Sequence, residues 1–115
     1  MIPALRQWDV VSVRIHVEDR DAHPAIVLSP VEVASSPRID RINVLYGTTK
    51  RPAGGLPPGQ VLLDEADGCD HPTVFDCLLF PVVKKAAIVS IMGHVSTERR
   101  RHLGRTLASV LRLFG

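Results

Sequence analysis

His23-Pro24-Ala25-Ile26-Val27-Leu28-Ser29 is the stretch that decides how this 115-residue chain is read. Pro24 to Ser29 is a short apolar run of the kind found in strands buried on both faces. Upstream lies the strand-like run Asp9-Val10-Val11-Ser12-Val13-Arg14-Ile15. There Val11, Val13, Ile15 and Val17 alternate with Ser12, Arg14 and His16, the period-2 pattern of a strand with one buried face. Glu18-Asp19-Arg20-Asp21-Ala22 between the two runs reads as a polar turn, so the pair is expected to form a hairpin.

Outward from the hairpin the β pattern continues. Ala34 to Arg38 is a connection of small and turn-forming residues. It leads to a strand over Ile39 to Tyr46, where Ile42, Val44 and Tyr46 alternate with Arg41 and Asn43 and Gly47 ends the element. Residues 50–59 combine prolines, which remove donors, with glycines, which add backbone entropy, and read as a surface loop. Gln60 to Asp64 is a further strand, and Glu65 to Gly68 a turn. Thr73 to Phe80 is β-prone but interrupted by Asp76 and ended by Pro81, and Ala86 to Met92 is a last strand. Then the period changes. Leu103, Leu107, Val110, Leu111 and Phe114 fall at helical spacing after Ser96 or Thr97 as N-cap, so Thr97 to Phe114 is expected to be an amphipathic helix. Five to seven short strands with a late helix predict an all-β barrel with helical decoration.

The length and 45% apolar content fit one domain over residues 1–115. With only 4% aromatics the core must be built from Val, Leu and Ile, which excludes a large aromatic ligand cage. A net charge of +2 is too small to announce a nucleic-acid binder. Cys69 and Cys77 are too few for a disulfide scaffold and read as free thiols. Cys69, His71 and Cys77 lack the paired spacing of a structural zinc site, so no metal or other cofactor is expected. The N-terminus lacks the basic start of a signal peptide, and no run approaches a membrane span, which points to a soluble cytoplasmic protein.

Taken in order, Asp9-Val10-Val11, the His23 to Ser29 run, the hydroxyl pair Thr48-Thr49 and the closing helix resemble the MazF/PemK toxin family. Its members open with Asp-(Ile/Val)-Val, continue with an Arg-Pro-Ala-Val-Val-Leu-Ser-like run and a Thr-Thr or Thr-Ser pair, and end in a helix. The resemblance spans most of residues 8–114 and departs at one position, where His23 stands in place of the usual Arg. It implies a mainly β fold, a small SH3-like barrel of the CcdB/PemK type with a C-terminal helix. It also implies a homodimer, neutralised by an antitoxin, that cleaves single-stranded RNA without metal as the toxin of a type II toxin–antitoxin system.

Such cleavage needs a base for the 2′-hydroxyl proton, a donor or cation for the phosphorane, and an acid for the 5′-oxygen. Carried over by position, the resemblance puts His23 at the Arg site and Thr48 or Thr49 at the Thr site. Imidazole can serve as acid or base near neutrality but lacks the permanent charge and donor fork of arginine. Alone, His23 reads as a polar residue opening a strand, and the threonines as ordinary strand-end residues. Asp76 is a catalytic candidate because a carboxylate inside an apolar strand is costly unless partnered; the alternative is an outward position between inward Phe75 and Cys77. Arg38, Arg41, Lys50 and Arg51 flank these positions and could hold an RNA backbone, or be a solvated rim. The acidic turn at Glu18, Asp19 and Asp21 argues against RNA there. Arg99, Arg100, Arg101, Arg105 and Arg112 make the last helix basic. Two other functions suit the same fold: a CcdB-like gyrase poison that uses the apolar C-terminus Leu111-Arg112-Leu113-Phe114, and a binding module that has lost toxin activity.

Overall fold

A computed structural model describes residues 4–16, 18, 21–50 and 53–113, and the expected hairpin is its centre. β1 (Asp9–Val13) pairs antiparallel with β2 (His23–Val27), Val10 opposite Ile26 and Val13 opposite His23. The other elements are α1 (Val31–Ala34), β3 (Arg41–Thr48), β4 (Gln60–Leu63), β5 (Thr73–Asp76), β6 (Val82–Lys84), β7 (Ile88–His94) and α2 (Thr97–Val110). Strands are hydrogen-bonded in the order β4-β5-β3-β2-β1-β7, and β6 also pairs with β3. All the pairs are antiparallel. The fold is therefore mainly β with a C-terminal helix, as expected.

β1 was expected to bury one face, and it buries both. Val10, Val11 and Val13 are all fully buried, whereas Ile15 lies beyond the strand and is exposed; Val17 is outside the described residues. The reason is that the sheet carries a core on each face. Val11, Val13, Ala25, Val27, Ile42 and Val44 pack on one side, joined by Ala34 of α1. Val10, Ile26, Leu45, Leu63 and Phe75 pack on the other, joined by Leu103 of α2. A run flanked by two apolar layers has no polar face to alternate with. Register shifts between β1 and β7 at Val10/Val11 and Ser12/Val13 add twist, which helps the sheet bend between the two layers.

Gly47 was expected to end the third strand and instead lies inside β3. Its missing side chain is the reason. Gly47 pairs with Phe75, and a Cβ built on it would lie 2.6–2.9 Å from Thr73 Cγ2 and the Phe75 ring. The fifth strand stops at Asp76 rather than running to Phe80. Asp76 Oδ1 accepts a 2.9 Å bond from the Leu78 N–H and turns the chain, which leaves Leu78, Leu79 and Phe80 exposed. α1 and β6 were not anticipated, being four and three residues long and without an internal period. The last strand starts at Ile88, after a 3₁₀ turn over Lys85–Ala87.

α2 is capped by Ser96, whose hydroxyl accepts from the Arg99 N–H at 3.4 Å. Leu103 is its fully buried residue, Leu111 is exposed, and Phe114 is outside the described residues. Cys69 and Cys77 are buried free thiols. Burial, with Asp67 next for Cys69 and Asp76 next for Cys77, pushes both up to about 11. Among the described residues no helix is long and apolar enough to cross a membrane.

Candidate active site

Of the site residues expected from the sequence, His23, Thr48 and Thr49 lie at the rim where β2 begins and β3 ends. Ala25 pairs with Tyr46 and Val27 with Val44, so the same register carried to the strand ends sets His23 opposite Thr48. Strand side chains alternate, which puts both on the face of Ala25 and Tyr46. Both are exposed. Thr48 Oγ1 accepts a 3.2 Å bond from the Lys50 N–H, so the hydroxyl also fixes the start of the following loop. Asp76 is level with Gln60 on β4 and, by the β3–β5 register, with Tyr46, one row along the same face from Thr48. Gln60 Oε1 beside it is buried without a hydrogen-bond partner, and burial raises the Tyr46 phenol above its ordinary value.

Thr49 belongs to the other face. It lines a cleft of about 550 Å³ together with Ser12 of β1, Pro24 of β2, Ser90 and Met92 of β7, and the loop residues Asp21, Asp70 and His71. The floor is a hydroxyl pair: Ser12 and Ser90 are register partners with Oγ atoms 2.7 Å apart. Pro24 is opposite Ser12 and adjoins His23, so the cleft and the His23–Thr48 face share one rim. The cleft's charged lining groups are the carboxylates of Asp21 and Asp70, which disfavour an anion deep inside.

Chain packing fixes the Asp70–His71 segment over β7. Gly68, at φ 86°, crosses Gly93 so closely that a Cβ on either would stand 2.6 Å from the other's Cα. Only glycine can supply both the left-handed backbone and the contact at Gly68. Just before it, the fully buried Asp67 accepts from the Ser96 N–H at 3.1 Å and faces Arg99 Nε at 3.9 Å. Arg99 in turn donates to the Leu62 carbonyl at 2.8 Å. After it, Thr73 Oγ1 donates to the His71 carbonyl at 2.8 Å. Asp9, the first residue of the opening motif, is structural: its carboxylate accepts from the Arg6 N–H and meets His94 Nδ1, each at 2.8 Å.

Arg38 and Arg41 are not brought to this rim. Arg41 begins β3, seven residues or about 23 Å from Thr48 at strand rise, and pairs with Lys84 of β6. Arg38 precedes it, its N–H on Ser36 Oγ at 3.3 Å. Arg51 lies outside the described residues. Sequence reasoning missed Ser12, Ser90, Asp70 and His71 as site residues. His71 stood out only beside Cys69, as a metal candidate, and the serines become a pair only through the β1–β7 register.

No family model matches the chain, and no curated protein matches it. Solved structures do. The Mycobacterium tuberculosis toxin MazF-mt6 superposes with a TM-score of 0.73 at 15% identity, covering 90% of this chain and 96% of that one. An endoribonuclease from a mycobacterial species, in complex with its cognate antitoxin, gives 0.76 at 17% identity over 96% of this chain and 97% of that one. A further mycobacterial endoribonuclease gives 0.76 at 15%, over 96% and 93%. At these identities the likeness is one of fold, and this chain has the fold of the MazF-type toxins.

Proposed function

We propose that this protein is the toxin of a type II toxin–antitoxin system, a metal-independent endoribonuclease for single-stranded RNA. The observation that carries the reading is the rim. The two motifs that resemble the MazF/PemK pattern, His23-Pro24 and Thr48-Thr49, are 24 or more residues apart in sequence, yet the β2–β3 register aligns them at one sheet end. In this reading His23 transfers a proton, Thr48 and Thr49 donate to the phosphate oxygens, and Asp76 lies one row away on the same face as Thr48. Lys50 and Arg51 hold the adjoining backbone, and Arg38 and Arg41 contact RNA further along.

A protein partner, whether an antitoxin or a second copy, is supported by the apolar surface. Leu78, Leu79 and Val82 are each more than half exposed. A groove of about 690 Å³ runs along α2, walled by Trp8, Leu28, Phe80, Leu107, Leu111 and Leu113. Exposed apolar surface of this extent marks interaction sites.

The test is cleavage of single-stranded RNA in excess EDTA. The expected products carry a 2′,3′-cyclic phosphate and a 5′-hydroxyl. Metal-dependent cutting or 5′-phosphate products would reject the mechanism. Intact RNA with a folded protein would reject the activity and leave the protein-target readings ahead.

A further inference from the structure

The rim has two sides, and the sequence motifs supply an acid–base group on one of them only. In-line displacement at phosphorus puts the attacking 2′-oxygen and the departing 5′-oxygen on opposite sides of the phosphorus. One group that takes a proton and another that gives one must therefore flank it from opposite directions. His23 lies on the Ala25–Tyr46 face, and His71 lines the cleft on the opposite face. Between them stand Pro24, which adjoins His23 and lines the cleft, and the hydroxyls of Thr48 and Thr49, one facing each side.

We infer that His71 is a second proton-transfer residue, acting as general base while His23 acts as general acid across the rim. The inference rests on the ribonuclease reading above. His71 is the imidazole of the cleft, and its backbone is pinned from both sides, by the Gly68–Gly93 crossing and by the Thr73 hydroxyl on its carbonyl. The roles follow from charge. Asp21 and Asp70 are the charged groups that line the cleft with His71. The cross-strand neighbours of His23 are Val13 on β1 and, by register, Thr48 on β3, and neither carries charge.

The step then balances without another reactant. A neutral His71 nitrogen takes the 2′-hydroxyl proton as the O2′–P bond forms. The P–O5′ bond breaks, and the 5′-oxygen takes the proton of the His23 imidazolium. The products are a 2′,3′-cyclic phosphate, a 5′-hydroxyl, an imidazolium at His71 and a neutral His23, which solvent exchange resets.

The experiment compares kcat/KM against pH for the wild type, His71→Gln, His71→Asn and His23→Ala on a short RNA. The same set is run on the RNA with sulfur in place of the scissile 5′-oxygen, a leaving group that needs no acid. The wild type should give a bell. Each His71 variant should lose the acidic limb and about 100-fold in rate, and stay equally impaired on the sulfur substrate. His23→Ala should lose the alkaline limb and be restored by sulfur. His102→Gln, on the exposed side of α2, is the control and should match the wild type. His71 is exposed, so its variants should keep the wild-type melting temperature. A wild type that cleaves while both His71 variants retain its rate and acidic limb overturns the inference alone. Rescue of the His71 variants by sulfur reverses the assigned roles and overturns it too. A wild type that leaves RNA uncut overturns the ribonuclease reading and the inference with it.

Discussion

Gly93→Ala isolates the contact that holds the cleft together. Gly93 lies in β7 opposite Val10, and its φ lies outside the left-handed range, so alanine fits the backbone there. The added methyl would sit 2.6 Å from Gly68 Cα, about 0.8 Å inside ordinary contact at 3.4 Å. Both sides of the contact are backbone, so no flexible side chain can swing away. Forcing a methylene into packed surroundings costs about 1–3 kcal/mol, from a total stability of about 5–15 kcal/mol for a small domain. Gly68→Ala carries the same overlap plus left-handed strain of about 1–2 kcal/mol, and should cost more. Gly104→Ala is the counterpart: nothing lies within 4 Å, the site is inside α2, and the change should stabilise by about 0.5–1 kcal/mol.

Urea unfolding reads all three. The midpoints should rank Gly104→Ala, wild type, Gly93→Ala and Gly68→Ala from highest to lowest, with the denaturant slope unchanged. Because Gly68 immediately precedes the Cys69-Asp70-His71 segment, the relief of the overlap moves the cleft wall. RNA cleavage by Gly93→Ala should therefore fall even at temperatures where the variant is fully folded. A Gly93→Ala protein with a wild-type midpoint would refute the reasoning.

Asp67→Ala should cost about 2–4 kcal/mol in chemical denaturation, since it strips the Ser96 N–H of its acceptor and leaves Arg99 without its buried partner; a loss under 1 kcal/mol would contradict this. Cys69 and Cys77, raised to about 11, should react slowly with iodoacetamide in the native state at pH 8. Unfolding in urea should speed the reaction about 100-fold through ionisation alone. Because the folded thiols titrate above the unfolded value of 9.0, the stability they contribute is fully present below pH 9 and lost as pH rises toward 11, so alkaline unfolding midpoints should fall over that window. His23→Arg should leave stability within about 0.5 kcal/mol, the side chain being exposed, and lower kcat with loss of the alkaline limb; improved cleavage would show that the position supplies charge rather than a proton.

Much of the fold was legible because the strongest signals were local. The hairpin, the long third strand and the capped helix each carry their own period. Three features were not, and each has a tertiary cause. The second buried face of β1 depends on Leu103 of α2 and Phe75 of β5, which belong to the opposite core layer and lie more than sixty residues away. Gly47 reads as a stop in one dimension and is a slot for the Phe75 ring in three. α1 and β6, at four and three residues, span little more than one repeat of their periods, too short for a pattern to show. The rim of the candidate site was legible in part: His23 and the Thr48-Thr49 pair were visible, and the cleft beside them was not. Its members come from β1, β7 and two loops, and only the shifted β1–β7 register makes Ser12 and Ser90 partners.

The adjacent threonines show how much that register matters. In sequence Thr48 and Thr49 are interchangeable, two hydroxyls either of which could answer the family's single threonine. In the fold they are not equivalent, because Thr48 is the last residue of β3 and Thr49 lies in the bend after it. Thr48 is level with His23 and is engaged by the Lys50 N–H; Thr49 opens onto the cleft with His71. A phosphate resting on the rim is thereby offered one hydroxyl from each side and one imidazole from each side. On the proposed reading the doublet acts as two halves of one anion seat rather than as a residue and its spare. That division also bears on the change from arginine to histidine at position 23. On that reading a rim with two hydroxyls, and the Lys50 cation next in sequence, can hold the anion with less help from a guanidinium, and the position is left open to a group that can give up a proton.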